Sequence, residues 1–249
     1  GVGKSSLLKG FQASVTSCGY TIIELKANPQ SKFFPYAVAY QLLLEIFAAQ
    51  GRVGTVESWV TDSLANDSEL IKWIGLLNLI TPLKLDDFQS PLHLNAAVKA
   101  EATASVYKAL LRGVAKKAKL LFCIEDVQWF DDLSLNLIAD SVFDLPNFKC
   151  IYTARVSTEN HSIFTGFPAI FTQGNNYHRI ELKPLSVPEV RLFLQHSFDV
   201  PQVPLSIAET VARISEGNLL LLSSLCQRLL QSGVVCKSEA DRTLLIDYP

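Results

Sequence analysis

Gly1-Val2-Gly3-Lys4-Ser5-Ser6, running straight into Leu7-Leu8, has the residue types and spacing for chemistry on phosphate. It matches the second half of a phosphate-binding loop, G-x-x-x-x-G-K-[ST], with Gly3, Lys4 and Ser5 as the G-K-S. Glycines let backbone N–H groups curl round phosphate oxygens, and the Lys4 ammonium suits the β- and γ-phosphates. The Ser5 hydroxyl suits Mg2+, and the helix that follows turns its positive end to the anion. The loop's first glycine would stand five residues before Gly3, outside this chain, so Gly1 and Val2 take variable positions. Half a motif reads equally well as an ordinary helix start, and downstream residues must decide.

The second chemically informative stretch is Leu120-Leu121-Phe122-Cys123-Ile124-Glu125-Asp126-Val127-Gln128-Trp129-Phe130-Asp131. Five apolar residues predict a fully buried strand of the parallel-sheet kind, ending in two adjacent carboxylates. Ligands of open α/β sheets bind beyond the carboxyl ends of the strands. Two acids there suit two tasks: one holds Mg2+ through its water shell, and the other orients or deprotonates an attacking water. Alone, a solvated Glu-Asp pair is an ordinary strand end. Its place about 120 residues after the Lys4 loop makes it a Walker B pattern. Phe148 to Tyr152 predicts another buried strand, running into Thr153-Ala154-Arg155. An arginine at that end suits the γ-phosphate, whose presence it would report; the alternative is a surface arginine.

These groups need a frame, and the chain is long enough for one. Its 249 residues suffice for a large α/β domain or two smaller ones, and 49% of them are hydrophobic. No apolar run approaches the length of a membrane span, and no signal peptide is expected ahead of the first motif. A formal charge of −2 gives no bulk electrostatic case for nucleic-acid binding. The five cysteines form no C-x-x-C pair, which favours a reducing, cytoplasmic setting, with Cys123 and Cys150 as small buried thiols. The chain contains no methionine, as expected of a fragment of a longer polypeptide.

Periodicity supplies the elements. A helix from Ser5 to Ser17 is predicted to bury Leu7, Leu8, Phe11 and Val15, followed by a strand at Tyr20–Leu25. Pro35 suits the first turn of a helix reaching Ala49. Val56–Leu64 and Ser68–Leu79 have helical spacing, with Trp59 and Trp73 as packing residues. Thr81–Asn95 reads as a loop, its His93 without metal-ligating company. A long helix spans Ala96–Ala118, with Lys116, Lys117 and Lys119 answering its dipole. Ser134–Phe143 reads as an amphipathic helix, His161 sits in a polar loop, and His178–Leu182 predicts a short strand. From Pro184 the character turns helical: Val187–Phe198, opened by a Ser186/Glu189 capping box, then Leu205–Ser215 and Asn218–Gln231, with a hairpin within Gly233–Ile246.

Taken together, these residues resemble the STAND-type branch of the AAA-like P-loop ATPases, the origin-recognition-like ATPase module of large signalling proteins. The matching pieces are Gly3-Lys4-Ser5-Ser6-Leu7, Pro35-Tyr36, the Ile124–Asp131 run, Tyr152–Arg155, Ile180–Ser186 and Glu216-Gly217-Asn218. The resemblance implies an α/β, three-layer P-loop parallel sheet over residues 1–183, its first strand missing, and a helical lid over 184–249. It implies ATP and Mg2+ as ligands, slow hydrolysis used as a conformational switch, and partner domains in the same polypeptide such as a nucleotide cyclase, a kinase or a helix-turn-helix output. Gly1 to Ser6 would contact the nucleotide, Ser5 and Glu125 the metal, Asp126 the water and Arg155 the γ-phosphate. The family often carries the acid pair in the opposite order, so the roles of Glu125 and Asp126 can exchange. Gly217-Asn218-Leu219 stands where the family has Gly-Asn-Pro near the adenine. A non-hydrolysing scaffold and a DNA-loading ATPase are the alternatives.

Overall fold

The computed structural model describes residues 2–51, 53–85, 88, 94–142, 145, 148–155, 178–232, 235–237 and 244–246. Gly1, His93 and His161 lie outside the described residues. The chain is mixed α/β and divides into two compact units. One comprises residues 8–178; the other combines residues 1–7 with residues 179–249.

In the larger unit, three parallel strands follow the order β1 (Tyr20–Lys26), β2 (Lys119–Glu125), β3 (Lys149–Tyr152). Leu25 stands opposite Ile124, and Ile124 opposite Tyr152, so β2 is central. Side chains alternate between two faces, as a strand's period of two dictates. On one face Ile23, Leu25, Phe122 and Ile124 pack with α2 (Ala37–Ala48), α5 (Ala96–Ala115) and α6 (Asp132–Val142). On the other, Leu121 and Cys123 pack with Leu8 of α1 (Lys4–Thr16). A fully buried leucine or isoleucine contributes about 1.5–3 kcal/mol. The first face, with α3 (Val56–Leu64) and Trp59 beneath it, is therefore the main source of cohesion.

Several sequence expectations need correction. Leu8 is the buried residue of α1, while Leu7 is 53% and Phe11 40% exposed. The stripe of α1 that meets the sheet is narrow and centred on Leu8 and Val15, which leaves the Leu7–Phe11 edge in solvent. Pro35 precedes α2 rather than opening it, because Tyr36 takes a left-handed conformation (φ 62°) that reverses the chain before Ala37. Within Ser68–Leu79 the chain forms a tight 3-10 turn, Leu70–Leu76, then α4 (Leu77–Ile80), started by Asp67 Oδ1 accepting the N–H groups of Glu69 and Leu70. His178–Leu182 is irregular instead of a strand. Ile180 is 76% exposed there, so nothing is buried to reward pairing.

The smaller unit contains α7 (Val187–Phe198), α8 (Leu205–Ser215), α9 (Leu219–Ser232) and an antiparallel pair, β4 (Val235–Lys237) with β5 (Leu244–Ile246). Val190, Leu194, Phe198, Val211 and Leu222 form its core. The Ser186 N–H donates to Glu189 Oε2 at 2.7 Å, closing the expected capping box. Gly217 turns α8 into α9 with φ 65° and accepts the Leu185 N–H at 2.8 Å. Among the described residues no helix is long and apolar enough to cross a membrane.

Candidate functional site

The buried run of β2 delivers Glu125 and Asp126 to the carboxyl end of the sheet. There the backbone makes an abrupt turn. Asp126 is left-handed (φ 54°, ψ 48°), a conformation that costs most side chains about 1–2 kcal/mol and that Asp tolerates better than others. Bonds to the chain beyond β3 hold it. The Thr153 N–H donates to Ile124 O at 2.8 Å, and the Val127 N–H donates to Thr153 O at 3.0 Å. The Asp126 N–H donates to Thr153 Oγ1 at 3.0 Å. Thr153 thus locks the acid turn on three sides.

The two carboxylates engage different neighbours. Lys26 Nζ, at the end of β1, lies 3.8 Å from Glu125 Oε1, and Arg155 Nε, past β3, lies 3.8 Å from Asp126 Oδ1. The Glu125 and Asp126 side chains are 13% and 26% exposed, while Lys26 and Arg155 are 66% and 69% exposed. Pairs this open and this long are worth no more than about 1 kcal/mol. Their value is positional: each cation marks the open side of one carboxylate. Gln128, on the 3-10 turn Val127–Trp129, donates from Nε2 to Asp126 Oδ1 at 3.0 Å and accepts the Arg155 N–H at 3.1 Å. The structure therefore gathers Glu125, Asp126 and Arg155, and adds Gln128, Thr153 and Lys26.

Asp131 closes the same turn from behind. Its Oδ1 accepts the Ser134 N–H at 2.8 Å, capping α6, and the Tyr36 N–H at 3.0 Å, anchoring the residue that precedes α2. Ser134 Oγ accepts the Ala39 N–H, and the Tyr107 hydroxyl donates to Ala39 O, both at 3.0 Å. Burial, with Asp131 nearby, raises the Tyr36 hydroxyl above its ordinary value, and burial raises that of Tyr107 further. Both phenols are neutral at any physiological pH. One carboxylate thus ties two helix starts to the acid turn. Asp three residues before Ser134 at the start of an apolar-periodic run is an N-cap signature, so the first of these bonds was readable in the sequence. The second joins residues 95 positions apart and was not.

The residues expected to form a phosphate loop belong to the other unit. Gly3 has φ 93°, a conformation only glycine adopts freely, and its carbonyl accepts the Leu7 N–H at 2.9 Å as the first turn of α1. A Cβ at Gly3 would meet Leu219 Cδ2 at 3.1 Å. Lys4 is half-buried, Ser5 and Ser6 are exposed, and no acidic residue stands in the first turn of α1. The positive end of a helix so placed suits an anion. The two carboxylates of the acid turn are hard oxygen donors of the kind Mg2+ takes while keeping several waters. Among the described residues no three His, Cys, Asp or Glu side chains cluster as a ready-made metal cage. No protein-family model matches the chain, and no curated protein matches it.

Proposed function

We propose that this chain is a P-loop ATPase module that binds ATP with Mg2+ and hydrolyses it slowly, as a conformational switch in a larger cytoplasmic signalling protein. The observation that carries the reading is the acid turn. A left-handed Asp126, just past the end of a buried parallel strand, lies beside Arg155, three residues past the end of the neighbouring strand. A merely solvated Glu-Asp pair would need neither the Thr153 lock nor the Gln128 brace.

In this reading the Lys4 ammonium and the N–H groups at the start of α1 bind the phosphates, and Ser5 holds the metal. Glu125 shares that task through water, on the Lys26 side. Asp126, the more exposed carboxylate, orients the attacking water and takes its proton. Arg155 responds to the γ-phosphate. Bound Mg2+ supplies charge neutralisation on the triphosphate. The helices of residues 184–249 act as the lid, and nucleotide shifts their equilibrium only by its differential contacts.

A non-hydrolysing scaffold is the second reading, favoured by the engagement of Asp126 by Arg155 and Gln128. Binding of a fluorescent ATP analogue and phosphate release by the full-length polypeptide separate the two. The ATPase reading expects Mg2+-dependent binding that Lys4→Ala abolishes, and Asp126→Asn that binds without turnover. Unchanged turnover in Asp126→Asn, or binding indifferent to Lys4→Ala, refutes it.

A further inference from the structure

We infer that Gln128 is a two-ended positioning residue that ties the Asp126 carboxylate to the Arg155 backbone, so that hydrolysis depends on where the Arg155 segment sits. This rests on the roles proposed above for Asp126 and Arg155. The amide is used at both ends: Nε2 donates to Asp126 Oδ1 at 3.0 Å, and Oε1 accepts the Arg155 N–H at 3.1 Å. Only one orientation of the amide satisfies both partners, since the flipped group would set oxygen against carboxylate and N–H against N–H. Glutamate, lysine or a hydroxyl residue cannot make this pair of bonds.

The platform under Gln128 is rigid. The Trp129 N–H donates to Asp126 O at 2.9 Å and the Phe130 N–H to Val127 O at 3.1 Å, closing the 3-10 turn. That turn is pinned by Thr153, and two residues beyond it the buried Asp131, 6% exposed, accepts the N–H groups of Ser134 and Tyr36. With its backbone held, the Gln128 side chain transmits displacement instead of absorbing it. Its two partners are 29 positions apart in sequence (155 − 126) and are otherwise joined by the loose 3.8 Å pair.

Both contacts fall on Oδ1. Among the described residues Oδ2 of Asp126 takes no hydrogen bond, so it is the oxygen left to receive a proton from water. A shift of the Arg155 segment pulls on Gln128 and reorients that oxygen. Arg155 then acts through its backbone as well as its guanidinium, and sensing and hydrolysis share one amide.

Two variants separate the ends. Gln128→Ala removes both bonds, whereas Gln128→Glu at about pH 8 keeps an acceptor for the Arg155 N–H and loses the donor to Asp126. Amide hydrogen exchange at Arg155, measured by NMR without nucleotide, is expected to speed roughly tenfold in Gln128→Ala and to stay within about twofold in Gln128→Glu. Turnover is expected to fall roughly tenfold in both, with nucleotide affinity unchanged, because the bond affects the reacting carboxylate and not the phosphate grip. Wild-type turnover in both variants, or unaltered Arg155 exchange in Gln128→Ala, overturns the inference. If the wild type binds no nucleotide, the ATPase reading falls and takes the catalytic half with it; the exchange pattern then upholds or overturns the brace alone.

Discussion

Replacing Asp131 by alanine tests whether one carboxylate organises the frame behind the acid turn. The substitution removes an acceptor used twice, by the Tyr36 N–H that starts α2 and the Ser134 N–H that starts α6. The lost N-cap of α6 costs about 1 kcal/mol, within a range of about 0.5–2, and the lost bond to the Tyr36 N–H about 1 kcal/mol. Both donors sit against a side chain only 6% exposed, so water reaches them poorly and desolvation adds to the loss. The expected total is about 2–4 kcal/mol. Asp131→Asn keeps an acceptor oxygen and gives up the charge facing two positive helix ends, costing about 1 kcal/mol. All three tryptophans, Trp59, Trp73 and Trp129, lie within residues 8–178, so intrinsic fluorescence during urea unfolding reads this unit alone. With a slope of about 2 kcal/mol per molar urea, Asp131→Ala lowers the midpoint by about 1–2 M and Asp131→Asn by about 0.5 M. An alanine variant within about 0.3 M of wild type, or an asparagine variant as damaging as alanine, refutes the double anchor.

Three further outcomes are expected. Gly217→Ala forces φ 65° on a side-chain-bearing residue and sets its Cβ within 2.8 Å of Leu185 N, so it should loosen the helical unit. Faster hydrogen exchange across α7 to α9, with tryptophan fluorescence unchanged, is the signature. Leu8→Ala should destabilise the larger unit by about 2–3 kcal/mol, whereas Leu7→Ala, a neighbour 53% exposed, should stay within about 0.5 kcal/mol in the same urea assay. Burial raises the Cys123 and Cys150 thiols above their ordinary value of 9.0, so in the native protein a disulfide reagent should modify exposed Cys18 and spare both. Because these folded-state values are raised, their stabilisation is complete below about pH 9 and fades as pH rises further. The urea midpoint should therefore drop between about pH 8 and about pH 10.5, and drop less in Cys150→Ala.

The cysteines also bear on the chemistry. With Cys123 inside β2 and both strand thiols held protonated by burial, neither competes as a nucleophile or metal ligand beside the acid turn. The reactive groups there are the oxygens of Glu125 and Asp126 and the cations that face them.

Much of the local structure was legible in the sequence because it depends on near neighbours. The apolar run before Glu125 reads as a buried strand, Ser186 and Glu189 as a capping box, and the period of Val187–Phe198 as a helix, and all three form. Those signals lie within a few residues of what they specify. The left-handed turn at Asp126 was invisible, since it depends on Thr153, which follows the next strand in the chain. The narrow contact of α1 was invisible too: spacing assigns an apolar arc, but only the sheet decides how much of it is covered. Gln128 stood in the matching run without a role of its own, because its meaning lies in two partners that chain order keeps apart. Propensity, pattern and capping are short-range, and the sequence therefore determined the elements and the residues able to act. Which of those residues meet is a matter of long-range pairing, and only the tertiary structure decided it.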